Sequence, residues 1–128
     1  MTILLIHSSY QHPGGEDVVF EQECSLLQRA GHEVIVYRRD NWEVEKYSGA
    51  HRLLLAKHVV WATDSHRDVA ALLRKHKRDV VHIHNIFMMV SPSVHWACRE
   101  ADVPVVQTLH NYRLFLSRRE LLSRRSGM

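Results

Sequence analysis

Two cysteines in 128 residues are too few for a disulfide framework, and no C-x-x-C pair offers a thiolate metal site. Cys24 and Cys98 both fall at apolar positions of predicted helices and read as reduced core residues. No apolar run approaches the roughly 20 residues a membrane-spanning helix needs. The opening Met1-Thr2-Ile3 has neither the basic n-region nor the small-residue cleavage site of a signal peptide. A cytoplasmic location is the default expectation. Internal repeats, low-complexity linkers and the G-x-S-x-G elbow of serine hydrolases are also missing. These gaps argue against a secreted disulfide scaffold, a membrane span and hydrolase chemistry.

What is present is ordinary for one globular domain: 45% hydrophobic and 24% charged residues. The formal charge of +3 is unevenly spread. Residues 113–128 hold five of the 17 basic side chains (Arg113, Arg118, Arg119, Arg124, Arg125) and one acid, Glu120. The body is therefore near neutral, and nucleic acid is not an expected partner. The basic tail reads first as a solvated terminus, with peripheral contact at the inner face of a membrane left open.

Apolar periodicity divides the chain into alternating strands and helices. Strands are expected at residues 2–7, Glu33–Arg38 and Asp79–His84, with a fourth entered through Val103-Pro104. A first helix begins near Glu16, carries Phe20, Cys24 and Leu27 on its face and stops at Gly31. Residues 40–50 read as loop. A helix over 51–61 turns Leu54, Leu55, His58 and Val59 inward. Asp64 is the expected cap of the next, faced by Val69, Leu72, Leu73 and His76. Ser91-Pro92 opens another helix with Val94, Ala97, Cys98 and Ala101 on one side. The pattern implies an α/β fold: a Rossmann-like parallel sheet of about four strands with flanking helices.

The polar residues cluster where the apolar runs end. His7-Ser8-Ser9 leads into Pro13-Gly14-Gly15, Ile83 into His84-Asn85, and Leu109 into His110-Asn111-Tyr112. In a parallel sheet these corners meet along one rim, where open α/β folds bind ligands. Gly14 and Gly15 precede a helix start, where backbone N–H groups favour anions. The loop does not spell G-x-G-x-x-G and lacks the Walker lysine, so dinucleotide and P-loop readings are weak. Glu16 and Asp17 temper the anion reading and could hydrogen-bond hydroxyls instead. His82 and His84 are read as pointing to opposite sides of their strand, which would keep one ion from taking both, so no metal is expected. His82 is either a packed imidazole or a crevice donor. His110 is the strongest candidate for a site role. His32, His51, His58, His66, His76 and His95 read as surface or satisfied core histidines.

Taken together, the segments HSSYQHPGGEDVVFEQECSLLQRAGHEVIVYRRDN and DVVHIHNIFMMVSPSVHWACREADVPVVQTLHNYRLF resemble the N-terminal domain of retaining GT-B glycosyltransferases of the family 4 type. The likeness covers residues 1–115 as a Rossmann-like, acceptor-side domain, with 116–128 as a basic tail. It implies transfer of a hexose from a nucleotide-sugar to a hydroxyl acceptor, in cell-wall, surface-polysaccharide or glycolipid synthesis. It implies no cofactor and no metal, the nucleotide-sugar being the donor substrate. It places His110 at the transferred sugar as the catalytic position. Gly14, Gly15 and Asn111 fall at the donor phosphate and sugar, and His84, Asn85 and Glu16 on the acceptor side. The family's donor-binding C-terminal domain has no counterpart here, so the chain is expected to be truncated and inactive alone. The rival readings are a non-enzymatic Rossmann-like interaction module and a basic-tailed adaptor for nucleic acid or membrane.

Overall fold

The computed structural model describes residues 1–9, 14–40, 49 and 52–110. Most of the expected 40–50 loop, residues 10–13 of the glycine loop, Asn111 and the basic tail lie outside the described residues. Four parallel strands form one sheet in the order β2-β1-β3-β4. They are β1 (Thr2–Ser9), β2 (Glu33–Asp40), β3 (Val80–Ile83) and β4 (Val105–Gln107). Between them run α1 (Gly15–Arg29), α2 (Arg52–Val60), α3 (Thr63–Lys75) and α4 (Ser93–Glu100). The α/β expectation holds, with β1 and β2 each two residues longer than their apolar runs. The extra residues pair as Ser8 with Arg39 and Ser9 with Asp40, because backbone pairing continues where side chains have turned polar.

Strand alternation divides the sheet's side chains between two layers. Leu4, Ile6, Val81 and Ile83 pack with Val69, Leu73, Val94, Ala97 and Cys98 of α3 and α4. Ile3 and Leu5 pack against Phe20 on the opposite face, with Cys24, Leu27, Val34 and Val80 around them. His82 and His84 follow Val80 at intervals of two, so both belong to the α1 face. The expectation that they point apart is therefore wrong: residues two apart on a strand share a side. Their ring centroids are 4.5 Å apart.

Local signals explain most boundaries. Gly31 ends α1 at φ 84°, with its N–H bonded to Gln28 C=O and the His32 N–H to Leu27 C=O. Those two bonds satisfy carbonyls the helix leaves open. Asp64 is not the cap of α3: Ala62 occupies that position and Asp64 lies in the first turn. Its carboxylate accepts from the Ser65 N–H and from Arg39, anchoring the helix start to β2. Ser91 is not the cap of α4: Pro92 occupies that position, one residue later than expected, and the Ser91 Oγ accepts from the Ser93 N–H at 3.2 Å. The helix itself begins one residue after Pro92. Leu54, His76 and Ala101 are exposed rather than packed. His76 and Ala101 lie at the C-caps of α3 and α4, where the apolar stripe has run out.

Candidate functional site

The sheet reverses its direction of construction between β1 and β3, and the ends of those two strands flank the crevice. The His84 N–H donates to Ile6 C=O at 2.9 Å, and the Ser8 N–H to Asn85 C=O at 2.7 Å. The Asn85 side chain closes this joint. Its Nδ2 donates to Ser8 C=O at 2.9 Å, and its Oδ1 accepts from the Phe87 N–H at 3.0 Å. Asn85 thus holds two strand ends together while lining the crevice.

The N-terminus of α1 is tied to the same rim. Asp17 turns inward, accepting from the Gly14 N–H at 2.9 Å and from His7 Nε2 at 3.0 Å. His7 is fully buried and stacks on Phe20, with ring centroids 4.6 Å apart. Burial lowers the His7 pKa, outweighing the Asp17 carboxylate that raises it. Burial also works to raise Asp17, but hydrogen bonds from Gly14 and His7 overcome it and hold the carboxyl below its ordinary value. The neutral ring therefore donates from Nε2 to an ionised carboxylate. The sequence reading offered Asp17 as a hydroxyl partner, but its oxygens serve the fold. The apolar run ending in His7 and the acid at the third helical position were the available signals.

These joints enclose a cleft of about 350 Å³, within the size range of small-molecule sites. Glu16, His84, Asn85, Thr108 and His110 line it, with Ile86, Phe87 and Leu109 as apolar wall. Four of the expected site residues thus meet: Glu16, His84, Asn85 and His110. Gly14 and Gly15 stand at the adjoining helix start and are not among its walls. Asn111 falls outside the described residues. Glu16 Oε2 is buried and makes no hydrogen bond among the described residues.

His84 and His110 stack at 5.3 Å between centroids, and His84 Nδ1 lies 3.2 Å from His110 Nε2. Burial, then the neighbouring imidazoles of His82, His110 and His7, lower the His84 pKa to about 4. Near neutral pH it is an uncharged ring with one nitrogen donating and the other accepting. On its far side, Glu23 Oε1 lies 2.5 Å from His82 Nδ1, while His82 Nε2 is 2.8 Å from Thr108 Oγ1. Glu23 was missed because it sits one position off the apolar stripe of α1. An acid beside that stripe, opposite a His-x-His strand, was the available clue. Among the described lining residues there is one carboxylate and no lysine or arginine.

A Rossmann-like parallel sheet with a cleft at its switch point defines an α/β domain of the kind that binds ligands at that place. The sequence model of Glycosyltransferase Family 4 matches residues 13–127, and the chain belongs to that family. No curated protein and no solved structure matches it significantly. No described helix is long and apolar enough to cross a membrane.

Proposed function

We propose that this domain is the acceptor-side half of a retaining GT-B glycosyltransferase, moving a hexose from a nucleotide-sugar to a hydroxyl acceptor. Surface polysaccharide or glycolipid synthesis is the setting, and the inner face of the cell membrane the place where such an acceptor is met. The carrying observation is the cleft itself: Glu16, His84, Asn85 and His110 meet there without a basic side chain among the described walls. A neutral acceptor fits those walls, whereas a diphosphate needs cations from elsewhere, supplied in this reading by a second, donor-binding domain. The Gly14 N–H is already taken by Asp17, and the backbone N–H groups that follow it at the α1 start favour the leaving diphosphate without a metal. Asn111 completes the donor-sugar contact in this reading. His110, backed by His84, hydrogen-bonds the transferred sugar.

The test pairs the chain with a separately expressed donor-binding domain and measures sugar transfer to glycoside acceptors. Transfer is expected only from the pair, and His110→Ala should lower its kcat by about 100-fold or more. Tight nucleotide-sugar binding by the chain alone, or a reconstituted pair indifferent to His110→Ala, would overturn the reading.

A further inference from the structure

Helix α1 crosses the sheet face that carries His82 and His84, and its packed Phe20 sets Glu23 over the end of β3. The Glu23 carboxylate divides between the two rings. Oε1 is 2.5 Å from His82 Nδ1, and Oε2 is 3.5 Å from His84 Nε2. One ligand atom from each of the three residues lies within 4.8 Å of the others. Tetrahedral zinc with bonds of about 2.1 Å places its ligand atoms about 3.4 Å apart. Glu23 Oε2 already has that spacing from His84, Oε1 has to open from His82 by about 1 Å, and the ligand atoms that stand up to 4.8 Å apart have to close by about as much.

Hydrogen bonding alone leaves this cluster incomplete. His84 Nε2 is buried without a hydrogen bond among the described residues, and the His84 side chain is 0% exposed. If Nδ1 donates to His110, the Nε2 lone pair faces carboxylate oxygen. With the opposite tautomer, the Nε2 N–H has no aligned acceptor. An unsatisfied buried nitrogen is costly in either case, and a cation converts it into a ligand. The second nitrogens are engaged as metal-site imidazoles usually are, His82 through Thr108 and His84 through His110. Side-chain exposures of 14% for His82 and 26% for Glu23 leave a route for the ion and a fourth ligand from solvent. Two imidazoles and one carboxylate suit zinc better than the all-oxygen preferences of magnesium or calcium.

We propose that Glu23, His82 and His84 form a binding site for one divalent transition-metal ion of the zinc type, clamping α1 to the end of β3. The site shares His84 with the cleft but supplies no step to the transferase reading. The full chain, stripped with EDTA, is titrated with Co²⁺ and then Zn²⁺ while visible absorption and Tm are followed. One Co²⁺ per chain with four-coordinate bands is expected, displaced by Zn²⁺, with a rise in Tm. Glu23→Gln and His82→Gln should each weaken binding by about 100-fold or more, and Thr108→Val by about 10-fold. His76→Gln, at an exposed position, should leave it unchanged. Absence of stoichiometric binding sinks the proposal. So does binding that survives both ligand variants with native circular dichroism, because the ion then sits on other histidines. Should either ligand variant misfold, indifference of the affinity to Thr108→Val overturns it equally.

Discussion

Asp17 shows how much of the rim depends on a single carboxylate. It is 5% exposed, joins the Gly14 N–H to His7, and lies 3.8 Å from Arg38. Its pKa in the folded chain lies below the ordinary 3.8, so its contribution is fully present above that value. The contribution is lost as pH falls through the lower folded value. His7 acts in the same sense over a higher window. Its folded pKa is below 6.5, so the unfolded chain takes up the proton first as pH drops from there. Asp17→Asn should cost about 1.5–3 kcal/mol near pH 7, the range for hydrogen bonds to a charged group. In urea unfolding over a pH series, the gap between wild type and variant should narrow below pH 3.8. A gap constant down to the lowest pH would mean that ionised Asp17 contributes nothing specific. Of Glu16, its neighbour, one oxygen is buried in the cleft wall without a hydrogen bond among the described residues, a better position for meeting a ligand.

At the scale of elements, two glycines separate fold from function. Gly31 sits at φ 84°, and an added Cβ would meet nothing within 4 Å among the described residues, so substitution is opposed there by backbone conformation. Gly31→Ala should cost about 1–2 kcal/mol in denaturant unfolding. Gly14, at φ −114° and with nothing within 4 Å of a Cβ among the described residues, has no such requirement. Gly14→Ala should stay within about 0.5 kcal/mol of wild type. A loss at Gly14 matching that at Gly31 would show that the loop needs glycine for its own folding. The stop at Gly31 was legible in the sequence because αL geometry leaves a residue signature. So were the strand starts, where apolar runs are continuous, and the gathering of His84 and His110, which follows from parallel strands ending on one rim. The cap of α3 was not legible, because Asp64 is held in the first turn by Arg39 of β2, a contact distant in sequence. The meeting of Glu23 with His82 and His84 was hidden for a different reason. It depends on which face of the sheet α1 covers, and on alternation that was assigned the wrong way round at β3.

For the whole molecule, the sheet is protected very unequally. β1 is paired on both sides and covered on both faces, with Leu4, Leu5 and Ile6 at 0% exposure. β4 pairs only with β3 among the described strands, and its Val105 and Val106 are 37% and 52% exposed. Two apolar clusters meet at β1, the larger under α3 and α4 and the smaller under α1. Opening the molecule therefore has to pass through that strand, while β4 can separate without disturbing either cluster's centre. Leu4→Ala should cost about 2–5 kcal/mol, the usual range for a buried leucine, and Val106→Ala well under 1 kcal/mol. Native-state hydrogen exchange should show Leu4, Leu5 and Ile6 amides exchanging only on global unfolding, and the Val106 amide exchanging by local opening. The cleft bridges these two regimes, since His84 follows the protected β3 and His110 follows the exposed β4. Ligand binding at the His84–His110 contact should then slow exchange at β4 far more than at β1. Equal protection of both strands without ligand would mean that the β4 edge is already covered, for instance by a second copy of the chain.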